Sequence, residues 1–290
     1  MDPLTQTKLS WLMSISGGDI DTKIGLIDGP VDFRHPALRG SNIRTLKGSQ
    51  RSACENAGDL SCVHGTFIAG ILGAKRGFSA PAICPDCDVI LNPLFGQDLS
   101  SNGKIPSASP KELAHAILET VDAGAKIINL SLGMSSNSLQ IYDEVRQAYD
   151  YALRKDVIVI AASGNQGDIG SISLINNQWV IPVAACDEIN WLDPMSNFGR
   201  SIGNRGLMAP GVNIKSAYPG GTYSYLSGTS FAAPFVTGTV ALLWSLFKRF
   251  SARSIKYALT ADLTNNPRRS ILPNMLNAEN AYSMLKSITM

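Results

Sequence analysis

Three residues that lie far apart in the sequence, Asp28, His64 and Ser230, have the side chains that serine-based acyl transfer requires. A serine hydroxyl becomes a nucleophile when a neutral imidazole accepts its proton, and an acid on the other ring nitrogen holds the imidazole in one tautomer. Asp28 ends an apolar run before Gly-Pro, so we expect a carboxylate at the edge of a buried strand, where it needs a hydrogen-bond partner. His64 opens an apolar helical segment and is the natural partner.

Ser230 lies in a stretch of small, hydroxyl-bearing residues, 226–234, directly before a long apolar run. A helix start exposes unpaired N–H groups and the positive end of the helix dipole, which favours negative charge nearby. The candidate donors to an oxyanion are the backbone N–H of Ser230 and the side-chain amide of Asn165, which ends a Ser-Gly-Asn turn. In the alternative interpretation the serine and threonine residues only cap the helix, and Asn165 is only a turn residue.

The other histidines and a second acid are expected to be structural. His35 precedes a proline in a loop, and His115 lies on an amphipathic helix, so solvation or packing explains each of them. Asp32 is a competing acid four residues after Asp28, but it follows the Gly-Pro turn. We therefore expect Asp32 in a solvated loop.

Short apolar runs alternate with amphipathic helical patterns, which predicts a parallel sheet covered by helices. Ligands gather at the carboxyl ends of such strands, where the candidate residues lie. Ser109, Pro110 and Glu112 form a capping box with proline at the first helical position. The predicted strands are 23–28, 88–95, 126–132, 157–162 and 179–185, with short extended pieces at 206–210 and 214–218. The predicted helices are 64–74, 110–123, 138–154, a long one from about 229, 252–261 and 277–287.

The composition is that of a globular chain, since 44% of the 290 residues are hydrophobic and 17% are charged. The net charge is +2 and no run of five basic residues occurs, so neither a nucleic acid nor a membrane is expected as a partner. The start of the chain lacks a secretory pattern, which favours a cytoplasmic location. Without repeats or linkers, we expect one domain, 23–290, after an N-terminal extension, 1–22.

Five cysteines occur, and only one pair has the spacing of metal ligands: they are Cys54, Cys62, Cys84, Cys87 and Cys186. Cys84 and Cys87 form a CxxC pair, and the other two cysteines needed for a four-thiolate zinc site are eight residues apart. An odd count does not indicate a disulfide scaffold. We expect free thiols, or one or two local disulfides, rather than zinc.

Four segments together resemble the subtilisin-like serine proteases: Ile-Asp-Gly-Pro at 27–30, His-Gly-Thr at 64–66, Ser-Gly-Asn at 163–165 and Gly-Thr-Ser-Phe-Ala-Ala-Pro at 228–234. The order Asp, His, Ser along the chain is that of the family. The resemblance extends over about 23–250. It implies an α/β fold of three layers, with a parallel central sheet flanked by helices. It also implies that Asp28 orients His64, that Ser230 attacks and that Asn165 binds the oxyanion.

The resemblance also implies a peptide-binding cleft. The family binds an extended peptide as an added strand, here beside Ser131, Leu132 and Gly133. Ser163 and Gly164 are expected to line the pocket for the residue before the cut bond. Calcium is common in the family, but no ligand loop matches, so we expect no cofactor or metal and leave structural calcium open.

Further phrases, at 28–36, 83–87, 209–214 and 227–234, resemble the proteases of cyanobactin-type peptide maturation. Relatives that close peptides into rings carry a capping insertion between the Asp and His segments, and here the separation is 64 − 28 = 36 residues. The resemblance therefore favours hydrolysis of a ribosomally made precursor peptide. The alternatives are a general intracellular subtilisin, a peptide macrocyclase and a catalytically inactive peptide-binding module.

Overall fold

The structure, a computed structural model, describes residues 1–47, 49, 54–95, 108–132, 142–170, 175–261 and 270–288. The strands in this part of the chain are β1 (Lys23–Asp28), β2 (Ile43–Thr45), β3 (Asp88–Pro93), β4 (Ile127–Leu130), β5 (Ile158–Ala162), β6 (Ile181–Cys186), β7 (Leu207–Pro210), β8 (Ile214–Tyr218), β9 (Thr222–Leu226) and β10 (Asn274–Met275). The helices are α1 (Pro3–Gln6), α2 (Leu9–Ile15), α3 (Leu60–Gly73), α4 (Pro110–Asp122), α5 (Asp143–Arg154), α6 (Arg200–Arg205), α7 (Thr229–Leu246), α8 (Ala252–Thr260) and α9 (Ala278–Ile288).

Eight of these strands form one sheet in the order β10-β7-β6-β5-β4-β1-β3-β2, and β8 pairs with β9 in an antiparallel hairpin. Every pairing in the large sheet is parallel. Helices cover both faces of the sheet, so its inner strands are almost entirely buried; these are β1, β3, β4, β5 and β6. The predicted parallel α/β architecture is therefore confirmed.

The direction of the side chains on β3 shows that the helices lie on opposite faces. Gly73 of α3 lies against Val89, whereas Asn92 donates to the carbonyl of Ala116 in α4 at 3.2 Å. Val89 and Asn92 are three positions apart on one strand, so their side chains point to opposite faces. The result is a three-layer structure, with α3 and α4 on opposite sides of the sheet.

Most predicted elements are present, with shifted ends. The capping box is confirmed, since Ser109 Oγ accepts from the N–H of Glu112 at 3.2 Å and Glu112 Oε2 accepts from the N–H of Ser109 at 3.0 Å. The helix predicted from His64 begins at Leu60, because Asp59 caps it by accepting from the N–H of Cys62. In the region predicted as 138–154 the structure has α5, and 138–141 lie outside the described residues. The elements that the sequence did not predict are α1, α2, α6, β2, β9 and β10.

Helix α7 runs through the protein core. Within the described residues it is the one helix long and apolar enough to cross a membrane by length and composition, and 89% of it is buried inside the protein. Thr237 in its middle donates to the side chain of Asn129 on β4 at 2.8 Å. We therefore interpret α7 as the central helix of the fold.

The predicted N-terminal extension is packed onto the rest of the protein. The carbonyl of Thr7 accepts from the N–H of Ala278 at 3.0 Å, and the ring of Trp11 packs edge-on against Tyr282 at 5.0 Å. Gln6 is buried, and its amide donates to the carbonyl of Asp187 at 2.7 Å. The domain boundary between 22 and 23 stays a prediction.

The cysteines form one local disulfide, between Cys54 and Cys62, as the sequence allowed. Cys84, Cys87 and Cys186 are buried and free. A four-thiolate zinc site is excluded for this state, since two of the four sulfurs are bonded to each other. Across the described ranges no group of three His, Cys, Asp or Glu side chains is placed to hold a metal ion. The expectation that the protein needs no cofactor stays a prediction.

Helix α3 approaches the turn after β1 so closely that only glycine fits at position 65. A Cβ atom there would overlap the carbonyl oxygens of Gly29 and Pro30, whereas a Cβ at Gly73 would meet only side-chain carbons of Ile43 and Val89, at 3.2 Å. We expect Gly65→Ala to destabilise the protein by about 1–3 kcal/mol, despite the better helix propensity of alanine. Gly73→Ala is the matched control on the same helix. Thermal unfolding measures both, and equal melting temperatures for the two variants would contradict the prediction.

Candidate active site

Asp28 and His64 are joined as the sequence predicts. Asp28 ends β1 and is 1% exposed, and its Oδ1 accepts from His64 Nδ1 at 2.7 Å and from the N–H of Gly29 at 2.7 Å. An ionised carboxylate only accepts hydrogen bonds, so Nδ1 carries the proton and Nε2 is left with a lone pair. The imidazole therefore has the tautomer of a general base.

The charge of Asp28 also changes the acidity of the imidazole. Burial of His64 opposes its protonation, but the neighbouring negative charge and the hydrogen bond from Nδ1 favour it, and together they raise the pKa of His64 above its ordinary value of 6.5. A raised pKa makes the neutral imidazole a stronger base and stabilises the imidazolium that forms during proton transfer.

Ser230 lies in the first turn of α7, next to α3. The adjacent residue, Phe231, packs its ring against His64 at 5.5 Å and against Phe67 at 4.7 Å. Ser230 Oγ donates to the carbonyl oxygen of Ser131 at 2.7 Å. Among the described residues no hydrogen bond joins Ser230 to His64. Proton transfer to Nε2 therefore requires the hydroxyl to turn from this carbonyl to the imidazole, and such contacts are often loose in the absence of substrate.

Two unpaired donors lie at the start of α7. The side-chain oxygen of Asn165 accepts from the N–H of Thr229 at 2.8 Å and from its hydroxyl at 2.9 Å. This fixes the amide orientation, so Nδ2 is the free end, and no hydrogen bond of the described residues uses it. The backbone N–H of Ser230 also has no acceptor in this part of the chain. The structure thus brings together the two donors that the sequence named for an oxyanion.

The residues expected to line a peptide cleft are only partly described. Ser131 and Leu132 are buried at the end of β4, and Gly133 lies outside the described residues. Ser163 is buried, and Gly164 has a φ of +103° that favours glycine. These residues lie at the carboxyl ends of β4 and β5, the edge that also holds Asp28. Their role in substrate binding stays a prediction.

Three further predictions concern residues near this edge. His35 is buried, with Nε2 donating to the carbonyl of Thr222 at 2.8 Å, and His115 is largely exposed on α4. Both are structural or surface positions in the structure, as expected. The prediction of a solvated loop for Asp32 is wrong. Asp32 is 3% exposed because the β8–β9 turn covers it, and its Oδ2 accepts from the N–H of Gly220 at 2.9 Å.

A buried polar chain supports the nucleophile, and the sequence analysis missed it. Thr237 donates to Asn129 Oδ1 at 2.8 Å, and Asn129 Nδ2 donates to Ser131 Oγ at 2.8 Å. Ser131 Oγ in turn donates to the carbonyl of Ser230 at 2.8 Å. Both Asn129 and Thr237 are polar residues inside apolar runs, and buried polar groups require partners. That signal could have identified them.

Comparison with known proteins identifies a family match over most of the chain. Residues 19–277 match the model of the subtilase family. The chain is 34% identical over 245 residues to a thermophilic serine proteinase of Bacillus sp. (strain AK1). The aligned region covers 83% of this chain and 56% of that protein. The chain therefore spans just over half the length of that relative.

Two solved structures extend this comparison. The prenylagaramide maturation protease PagA is 29% identical with a TM-score of 0.82, and the match covers 96% of this chain and 98% of PagA. The PatG macrocyclase in complex with peptide is 21% identical with a TM-score of 0.82, and the match covers 97% of this chain and 96% of the PatG chain. The second likeness shows the fold alone.

The state of His64 predicts how reactivity depends on pH. A base must be neutral, so reaction of Ser230 with a fluorophosphonate is expected to fall as the pH drops through the pKa of His64, with a midpoint above 6.5. Asp28→Asn removes the neighbouring charge. It should lower the reaction rate by about 10⁴-fold and move the midpoint to lower pH, since burial then dominates the pKa.

The control for this pH profile is His115→Ala, which removes an exposed histidine on α4 and should leave the midpoint unchanged. A midpoint that Asp28→Asn does not move would contradict the assignment of His64 as the base, whereas a wild-type midpoint at or below 6.5 would contradict only its raised pKa.

Proposed function

The chain belongs to the subtilase family, and from this we propose that it is a serine endopeptidase whose catalytic residues are Asp28, His64 and Ser230. The observation that carries the proposal is the 2.7 Å hydrogen bond between Asp28 Oδ1 and His64 Nδ1, beside the start of the helix that holds Ser230. Few structural roles need a neutral imidazole that is fixed by a buried carboxylate at the ligand-binding edge of a parallel sheet.

Acylation follows from this geometry. Ser230 Oγ attacks the carbonyl carbon of the substrate, and its proton passes to His64 Nε2. The carbonyl oxygen becomes an oxyanion, which accepts from Asn165 Nδ2 and the N–H of Ser230. When the intermediate collapses, the C–N bond breaks and the leaving amine takes the proton from His64. The product is an ester between the peptide and Ser230.

Deacylation repeats the same steps with water. His64 takes a proton from a water molecule, the hydroxide attacks the ester carbonyl, and the C–O bond to Ser230 breaks. The proton returns from His64 to Ser230 Oγ, and a free carboxyl group leaves. Asp28 stays ionised and stabilises the imidazolium in both halves of the reaction. In subtilisin, removal of one oxyanion donor costs about 10²–10³ in turnover, so Asn165 is expected to contribute to this extent.

We propose a ribosomally made precursor peptide as the substrate, cut to remove a leader or to expose an end. The support is the likeness to PagA, which is described as a maturation protease and matches nearly the whole chain. Hydrolysis is favoured over ring closure by the segment between Asp28 and His64. Its described residues, 29–47, 49 and 54–63, hold β2 and the first turn of α3, and no capping helix besides.

A cytoplasmic location is part of the same proposal. The Cys54–Cys62 disulfide requires an explanation there, since cellular thiols keep most cytosolic cysteines reduced. Either that disulfide persists because Cys62 is buried, or the protein works in a more oxidising compartment. The cell fraction of the host that holds the protein with this pair oxidised decides between the two.

The function is tested with a candidate precursor, sought among the small reading frames next to the gene. Wild-type protein should cut the peptide, and Ser230→Ala should not, because the nucleophile is absent. Mass spectrometry also identifies the reaction: the products of hydrolysis together weigh one water more than the precursor, whereas ring closure adds no water. Ser287→Ala, on the exposed side of α9, is the matched control and should cut normally.

Three results would argue against this function. Equal cutting by wild type and Ser230→Ala would remove the serine mechanism. Rapid digestion of casein at many bonds would favour a general intracellular protease. Failure of a fluorophosphonate to label Ser230 in folded protein would favour an inactive peptide-binding module.

A further inference from the structure

We propose that Asn197 is a positioning residue, which holds the turn that carries Asn165 and so aims the oxyanion donor. This inference rests on the proposed function. Asn197 lies between β6 and α6, far from Asn165 in the sequence, and it is 1% exposed. No local pattern in the sequence singles out Asn197, and within the described residues no hydrogen bond joins it to the proposed triad.

The side chain of Asn197 binds the turn on the C-terminal side of Asn165. Its Oδ1 accepts from the backbone N–H of Gln166 at 3.1 Å and of Asp168 at 3.0 Å. Its Nδ2 donates to Gln166 Oε1 at 2.8 Å. One amide therefore uses both lone pairs of its oxygen and one of its two N–H groups on a single turn.

The backbone of Asn197 binds the turn on the other side of Asn165. Its N–H donates to the carbonyl of Gly164 at 2.9 Å, and its carbonyl accepts from Ser163 Oγ at 3.1 Å. Asn165 itself is bound to Thr229 instead. Asn197 thus fixes the chain before and after Asn165, and Thr229 fixes the side chain.

The turn is shaped to admit this amide. Gly164 has a φ of +103°, and a Cβ atom there would overlap Asn197 Nδ2. Gln166 and Asp168 are exposed, so water can replace the acceptor that a truncated Asn197 would no longer supply. Loss of the amide should therefore loosen the turn more than it unfolds the protein. Oxyanion stabilisation depends on donor placement, and a shift of about 1 Å can cost about 10²-fold in rate.

The test uses a fluorophosphonate, because the natural substrate is not needed for it. Ser230 Oγ forms a bond to phosphorus, the P–F bond breaks, fluoride leaves and the hydroxyl proton goes to His64. Negative charge builds up on the phosphoryl oxygen during this step, where the oxyanion donors act. Labelling rates at increasing probe concentration give the maximal rate constant and the half-saturating concentration separately.

Asn197→Ala is expected to lower the maximal rate constant by about 10- to 100-fold and to leave the half-saturating concentration nearly unchanged. In an Asn165→Ala background the same substitution should cost less than about twofold, because the side-chain donor that Asn197 positions is already absent. A purely structural role would lower the rate equally in both backgrounds. If Asn197→Ala does not fold, Asn197→Ser, whose hydroxyl is too short to span both N–H groups, is measured in its place.

The matched control is Asn92→Ala. Asn92 is also a buried asparagine that bridges two elements, since its amide donates to the carbonyl of Ala116 at 3.2 Å and to Thr120 Oγ1 at 3.2 Å. It lies on β3 and contacts α4, not the turn at 163–168. Asn92→Ala should lower the melting temperature and keep the labelling rate of the folded protein.

Two results would contradict the role of Asn197 and leave the proposed function standing. One is a labelling rate of Asn197→Ala within about twofold of wild type, and the other is an equal loss of labelling rate with and without Asn165. Absence of labelling at Ser230 in the wild-type protein, with Ser230→Ala behaving alike, would overturn the proposed function and this role together. The two failures are therefore distinguishable in one set of measurements.

Discussion

The hydrogen bond between Asp28 Oδ1 and His64 Nδ1 joins the central sheet to α3, and the candidate site is built around it. Asp28 is buried, and its second oxygen has no partner in the described residues, so the imidazole and the N–H of Gly29 together compensate for its lost hydration. β1 is held between β3 and β4, and α3 lies against the turn after β1. Both groups are therefore fixed by the fold before any substrate arrives, which is what preorganised catalysis needs.

The register of the sheet sets the spacing between the nucleophile and the oxyanion donors. β4 and β5 are adjacent, with Leu130 opposite Ala161, so the segments that follow them leave the sheet side by side. Ser131, just after β4, holds the carbonyl of Ser230, and Asn165, after β5, holds the N–H of Thr229. The start of α7 is thus bound at two points from two neighbouring strands. Small changes in either loop would be transmitted directly to the reacting hydroxyl.

Local patterns predicted the parts of this protein that local interactions decide. The apolar run ending at Asp28 and the capping box at Ser109 were both interpreted correctly. Asp32 was misinterpreted, because it is buried by a turn nearly two hundred residues later in the chain, and no local pattern carries that information. For the same reason Asn197 could not be recognised. The hydrogen bond from Ser230 Oγ to the carbonyl of Ser131 was also unpredictable. A hydroxyl group rotates freely, so its acceptor depends on where the neighbouring residues lie.

Helix α7 also connects the site to the opposite end of the molecule. Its 18 residues span about 27 Å, from Thr229, next to Ser230, to Leu246. There Phe247 packs on Tyr282 of α9 at 5.2 Å, and Tyr282 packs on Trp11 of α2, so α2 and α9 meet over the end of the core helix. Shortening the chain from either side would bare the same aromatic surface and invite aggregation. The two termini thus form one structural unit, and any recombinant version of the protein has to keep both.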